Sequence, residues 1–136
     1  MDLDTVRKGI TSLDGFPGRV GCMGGDPTLH VKFKEILAIF REMIPDKRRR
    51  EFWTSGFRWA DYKDDILETF DEDRISFNDH RQLTGKHQPL LVGIEEVVKD
   101  PQLRKILIDA CPFQKRWSSS ITPKGGFFCE VAASLD

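Results

Sequence analysis

The stretch from Gly21 to His30, GCMGGDPTLH, holds the residue pattern with the clearest chemical potential. The consecutive glycines 24 and 25 lack a Cβ, so a small molecule could lie against bare N–H and C=O groups. Asp26 beside them could hold an ammonium group, and Pro27 pre-sets the start of a helix. A tight strand-to-helix turn with Asp26 as its N-cap explains the same residues. Since a glycine pair is a weak motif, the pattern alone favours this simpler interpretation.

Cysteines and histidines are the other residues that could bind a metal or act in chemistry. The cysteines, Cys22, Cys111 and Cys129, are odd in number, which argues against a disulfide framework and suits a reducing cytosol. Cys22 lies in an apolar segment and is predicted to be a core residue. The histidines are too scattered to form a metal site by spacing. His30 is expected to pack or cap a helix start, whereas His80 could line a site.

Alternating helical and extended patterns must position these residues. Helices are predicted over residues 4–13, 31–44 and 61–70, where apolar residues recur every three or four positions. The short buried strands are RVGCM, REFWTSG and RISFND, and two further helical segments lead to Cys111. The segment RWSSSITPKGGFFCEV is typical of a β-hairpin around a Thr-Pro-Lys-Gly turn. Strands that alternate with helices indicate an α/β fold with a parallel sheet.

The ends of the predicted strands point to one shared site. In open parallel sheets, ligands bind beyond the carboxyl ends of the strands. Three segments stand at those ends: Gly-Gly-Asp at 24–26, Thr-Ser-Gly at 54–56 and Asn-Asp-His at 78–80. Each is polar or rich in glycine, and each follows an apolar strand. We therefore expect a site where these three segments meet.

The composition gives no general attraction for nucleic acid or anionic membranes, because the formal net charge is −1. No apolar run approaches the roughly 20 residues that span a bilayer. The N-terminal MDLDTVRKGI is a charged helix pattern, not a secretory signal. The run DKRRR could bind a phosphate, but such runs are usually solvated loops near a helix end. We expect a cytoplasmic protein whose partners are small molecules or peptides.

One segment also carries a family resemblance. GCMGGDPTLHVKF resembles the GGEPTLHPDF segment of radical S-adenosylmethionine (radical SAM) enzymes. FWTSG stands where that family often has a strand ending in Thr-Asn-Gly, and WSSSITPKGGFFCEVAASLD is similar to segments near auxiliary iron–sulfur regions in some branches. The resemblance covers nearly the whole chain. It implies a partial radical SAM (β/α)6-type barrel over residues 1–110, followed by the start of a C-terminal auxiliary hairpin segment over 111–136.

The resemblance implies a set of residues that bind S-adenosylmethionine. They are Gly24, Gly25, Asp26, Pro27, Thr28, Ser76, Asn78 and His80. The first five match the family segment that holds the amino group of the methionine moiety. The last three are the nearest match to polar residues that hold the ribose near the end of the fourth barrel strand. Asp26 stands where the family usually has Glu, and its shorter side chain favours a contact through the backbone.

The resemblance further implies a [4Fe-4S] cluster that cleaves S-adenosylmethionine to a 5′-deoxyadenosyl radical. The family holds this cluster with Cys-x3-Cys-x2-Cys, and the chain contains no such triplet. Since a cluster needs thiolate ligands at suitable spacing, we expect a fragment of a radical SAM enzyme that is inactive alone. Cys111 and Cys129 could belong to an auxiliary cluster completed by ligands outside the chain, or could be small buried apolar residues.

Two other functions stay open at this point. The chain could be a free-standing α/β module that binds S-adenosylmethionine or a nucleotide without radical chemistry. It could also be a degenerate interaction domain. Cluster content separates the radical enzyme from both alternatives, and affinity for S-adenosylmethionine without iron separates the binding module from the interaction domain.

Overall fold

A computed structural model of the chain describes residues 1–78, 92–111, 119–127 and 133. The chain divides into two compact units, Met1–Gln88 and Pro89–Asp136. The first unit contains a parallel sheet with its helices, and the second contains helices and a hairpin. The division at residue 110 that the family resemblance implies stays a prediction.

The sheet of the first unit consists of three short parallel strands. They are β1 (Val20–Cys22), β2 (Arg50–Thr54) and β3 (Ile75–Phe77), and their order in the sheet follows their order in the chain. In register, Cys22 lies opposite Phe52, which in turn lies opposite Ile75. The predicted α/β class and parallel pairing are therefore confirmed. The described strands form an open sheet, so the barrel stays a prediction.

Helices precede and connect these strands, close to the segments that the periodicity indicates. They are α1 (Leu3–Thr11), α2 (Phe33–Met43) and α3 (Trp59–Thr69), with short 3-10 helices at Pro27–Leu29, Lys47–Arg49 and Glu72–Arg74. The predicted helix over 31–44 is shorter at its N-terminal end. There the 3-10 helix and the hydrogen bond from the Phe33 N–H to the His30 carbonyl form a separate turn.

The core lies between one face of the sheet and helices α2 and α3. Along β2, alternate residues are buried, as a strand period of two requires. Phe52 is fully buried, with its ring centroid 5.8 Å from that of Phe33 and 5.1 Å from that of Phe70. The Phe33 ring also meets Tyr62 of α3 edge to face at 5.0 Å. The amphipathic face of α2 therefore joins the sheet to α3.

The basic run at 47–50 is largely used by the fold. Arg50 begins β2 and is only 6% exposed. Its guanidinium donates to the carbonyls of Ile44 (2.7 Å), Thr69 (3.0 Å) and Pro45 (3.2 Å), at the ends of α2 and α3. Buried helix ends need such donors, because their last carbonyls have no partner within the helix. The expectation of a solvated loop is therefore wrong for Arg50.

The second unit holds α4 (Ile94–Val97), α5 (Pro101–Asp109) and a hairpin of β4 (Ser120–Thr122) and β5 (Gly125–Phe127). Asp100 caps α5, since its carboxylate accepts the N–H of Gln102 at 2.8 Å, and Pro101 takes the first helical position. The predicted cap and hairpin are both confirmed. No helix in the described ranges is long and apolar enough to cross a membrane.

Candidate functional site

The turn after β1 needs glycine for its backbone conformation. Gly24 and Gly25 have φ angles of 101° and 44°, which residues with a side chain rarely adopt. A Cβ built on either glycine would meet no atom within 4 Å, so crowding inside the protein is not the reason for glycine. Neither glycine exchanges a backbone hydrogen bond with another described residue. The turn therefore presents consecutive peptide groups to open space.

Asp26 fixes this turn to the neighbouring strand end. Its Oδ1 accepts the Thr28 N–H at 3.0 Å and the Thr28 hydroxyl at 2.6 Å. Its Oδ2 accepts the Thr54 hydroxyl at 2.9 Å, and the Ser55 N–H and hydroxyl at 2.8 and 2.5 Å. The simple N-cap role is confirmed, because Asp26 caps the 3-10 helix in which Pro27 is first. The same carboxylate also joins β1 to β2.

The electrostatics of Asp26 follow from these contacts. Burial raises the pKa of the carboxyl, but the hydrogen bonds from Ser55, Thr28 and Thr54 outweigh burial and lower the pKa to about 2. The group is therefore ionised at neutral pH and already satisfied by five protein donors. An incoming ammonium group would have to displace one of these donors to reach it.

The three predicted strand ends do meet at one edge of the sheet, as far as the structure describes them. Thr54 lies at the centre, since its carbonyl accepts the Asn78 N–H at 2.8 Å and its hydroxyl accepts the Gly56 N–H at 3.0 Å. Gly56 has a positive φ of 82°. Asn78 is thus joined to the centre of the site through its backbone, while Asp79 and His80 lie outside the described residues.

The remaining predicted binding residues occupy different surroundings. Pro27 and Thr28 are buried beneath the turn, so they support its shape. Ser76 is half-buried in β3 and pairs in register with Trp53, which places both on the sheet face opposite to that of Thr54. The structure therefore joins Asn78 to the Asp26 network, but not Ser76.

The cysteines do not form a cluster site in the described residues. Cys22 packs against the hydrophobic core, and burial, followed by the charge of Asp26, raises the pKa of its thiol to about 12. Cys111 is partly buried with a free thiol, and Cys129 lies outside the described residues. No group of three metal-binding side chains occurs in the described part.

Of the histidines, only His30 lies in a described range, and its ring is used locally. Its Nε2 is 2.7 Å from the Met1 carbonyl oxygen, and its Nδ1 accepts the Lys32 N–H at 3.1 Å. His30 thus joins the N-terminus to the turn before α2, but it does not cap the helix, because Lys32 is the N-cap and α2 has no side-chain hydrogen bond there. His80 and His87 lie outside the described residues, so the role suggested for His80 stays a prediction.

Sequence reasoning placed Thr54 and Ser55 at the site but missed what they do. Both supply hydroxyls to Asp26, 28 and 29 residues earlier in the chain. The available signal was the pair of hydroxyl residues directly after an apolar strand, next to a carboxylate after the preceding strand. Only the register of the two strands shows that the groups touch.

Comparisons with known proteins identify no relative of this chain: no family model, no curated protein and no solved structure matches it.

Proposed function

We propose that this chain binds S-adenosylmethionine through the turn at Gly24 and Gly25, as the methionine-binding part of a radical SAM-type barrel. The observation that carries the proposal is the conformation of the turn. Two consecutive glycines with positive φ face open space at the carboxyl end of β1. Unpaired backbone carbonyls there are suitable acceptors for the ammonium group of an amino acid.

The winding of the sheet supports the barrel part of the proposal. Each strand pairs with the next one in the chain, and α2 and α3 contact each other on the same side. Right-handed crossovers that always advance in one direction place every helix on one face. A doubly wound sheet reverses its strand order and carries helices on both faces. This strand order and this placement of the helices are what the proposed (β/α) barrel segment requires.

The contacts of Asp26 assign it a positioning role in this proposal. Both carboxylate oxygens already accept protein donors, so Asp26 holds the turn against Thr54 and Ser55 rather than binding the ammonium directly. The ligand contact then falls to the carbonyls of the turn, with the carboxylate charge nearby as a further attraction.

The described residues do not fit an iron–sulfur cluster. The sequence contains no Cys-x3-Cys-x2-Cys triplet, and no group of three metal-binding side chains occurs in the described part. We therefore assign no radical step to this chain's own residues. The second candidate function, binding of S-adenosylmethionine without radical chemistry, requires only the open glycine turn.

The test is calorimetric titration of the purified chain with S-adenosylmethionine, with 5′-deoxyadenosine as a ligand that lacks the amino acid. Gly25→Ala places a Cβ in the space assigned to the ligand. The matched control is Gly15→Ala, since Gly15 also has a positive φ (74°) and also has nothing within 4 Å of a built Cβ. Both variants carry a backbone strain of about 1–2 kcal/mol.

We expect S-adenosylmethionine to bind and 5′-deoxyadenosine to bind much more weakly. Gly25→Ala should weaken binding about tenfold or more, the worth of one hydrogen bond to a charged group. Gly15→Ala should leave binding unchanged despite equal destabilisation. If S-adenosylmethionine does not bind, or if both variants weaken it equally, the assignment of the turn is wrong. Reconstitution with iron and sulfide, followed by absorbance, should yield no cluster on the chain alone.

A further inference from the structure

A cavity lies at the opposite edge of the sheet of the first unit, near the amino ends of β1 and β2. It has a volume of about 260 Å³ and lies between the C-terminal ends of α1 and α2 and the loop that follows α1. Its apolar lining residues are Ile10, Leu13, Val20, Met43 and Ile44. Two oppositely charged residues, Asp14 and Arg49, also line it. This cavity shares no residue with the glycine turn.

The Arg49 guanidinium is fixed by two hydrogen bonds and keeps N–H donors that no described residue accepts. Its Nε donates to the Gly18 carbonyl at 3.2 Å, and its Nη2 donates to the Phe16 carbonyl. These contacts fix the guanidinium against the loop. Its Nη1 makes no hydrogen bond to any residue in the described ranges, and Arg49 forms no ion pair with them. A guanidinium that is fixed in place and has an unused Nη1 can bind a carboxylate.

Asp14 supplies the opposite charge on the same cavity. Its carboxylate is exposed and forms no ion pair of 4.0 Å or less with Arg49 or any other described residue. The cavity therefore offers acceptors for a cation beside a donor for an anion.

We propose that this cavity binds a free apolar α-amino acid of about the size of leucine. Arg49 binds its carboxylate, Asp14 its ammonium group, and the apolar walls its side chain. The volume of about 260 Å³ corresponds to about nine water molecules at ~30 Å³ each, so the cavity has room for a ligand of this size. Asp14 would repel a purely anionic ligand, and Arg49 would repel a purely cationic ligand. A zwitterion avoids both conflicts.

The test uses leucine, 4-methylpentanoate, which lacks the ammonium group, and 3-methylbutylamine, which lacks the carboxylate. Binding to the full chain is followed by NMR chemical-shift titration. The variants are Asp14→Asn and Arg49→Gln. Arg48→Gln is the control, because Arg48 is a neighbouring exposed cation paired with Asp46 and absent from the cavity. Circular dichroism checks the fold of each variant.

We expect leucine to bind more tightly than either analogue. Asp14→Asn should weaken the binding of leucine by about tenfold, since one hydrogen bond between charged groups is lost. The binding of 4-methylpentanoate should be unchanged or slightly tighter. Arg49→Gln should weaken both, and Arg48→Gln neither. Arg49 also holds the loop, so the Asp14→Asn comparison keeps the test decisive if Arg49→Gln unfolds. Absence of leucine binding at millimolar concentration, or equal binding of leucine and 4-methylpentanoate, would overturn the proposal.

Discussion

Replacing Asp26 by Asn is the sharpest perturbation of the candidate site, because the two residues differ in one atom. The Asp26 oxygens each accept one backbone N–H, from Thr28 at 3.0 Å and from Ser55 at 2.8 Å. Hydroxyl donors can rotate to suit a new partner, but backbone N–H groups cannot. Asn offers one acceptor and one NH2 donor. One backbone N–H must therefore face the NH2 group without an acceptor.

Two magnitudes, both arising from the hydrogen bonds to this carboxylate, bound the cost of this change. Leaving a partly buried N–H unsatisfied costs about 1–3 kcal/mol. Folding lowers the pKa of Asp26 from 3.8 to about 2. At about 1.36 kcal/mol per pKa unit, and with a discount for partial exposure, this shift corresponds to about 1–2 kcal/mol. We expect Asp26→Asn to lower the free energy of unfolding by about 2 kcal/mol, measured by urea unfolding with circular dichroism.

Asp46→Asn is the matched control. Asp46 also caps a three-residue 3-10 helix through Oδ1, which accepts the N–H of Arg48 at 3.1 Å. Its second oxygen accepts the exposed side chain of Arg48. Asn can keep the cap there, so the expected loss is much smaller than that of Asp26→Asn. Equal losses for the two variants would refute the view that Asp26 stabilises the junction of β1 and β2.

The pH dependence gives a second readout of the same group. The pKa of Asp26 is lower in the folded state than its ordinary 3.8, so its charge stabilises the fold fully above about pH 4. That contribution is lost as the pH falls toward 2. The difference in unfolding free energy between the wild type and Asp26→Asn should therefore shrink over this window. A difference that is constant from pH 6 to pH 2 would contradict the assignment.

Four further outcomes follow from the structure. Arg50→Met should cost about 3 kcal/mol or more in urea unfolding, since it leaves several buried carbonyls without a donor, and Arg50→Lys should recover part of the loss. Phe52→Ala should cost about 3–5 kcal/mol in the same assay, because the fully buried ring lies between two others. Ser55→Ala removes a hydroxyl donor and should raise the pKa of Asp26, measured by NMR titration of the carboxyl carbon. Cys22 should resist alkylation at pH 8 in the folded chain and react readily in urea, as followed by mass spectrometry of its peptide, because its thiol pKa is raised to about 12.

Local signals in the sequence were sufficient for most elements of the first unit. The apolar spacing within 31–44 predicts α2, and the alternation in REFWTSG predicts β2, because burial imposes these periods directly. In the second unit, the cap at Asp100 and the hairpin at 120–127 were also predictable, because caps and turns depend on neighbouring residues. Helix ends differ from the predicted ends by one or two residues, and before α2 a short 3-10 helix takes part of the predicted helical segment.

By itself, the sequence determined where the chain turns and which face of each helix and strand is apolar. These properties depend on residues that are close together in the chain. Only the tertiary structure decided what the polar groups do. The register of β1 and β2 brings Asp26 to Ser55, and the ends of α2 and α3 place carbonyls around Arg50. These contacts join residues 6 to 29 positions apart, so no local pattern encodes them. They make Asp26, whose N-cap role the glycine pattern already favoured, also join two strand ends, and they bury Arg50, which was expected in a solvated loop.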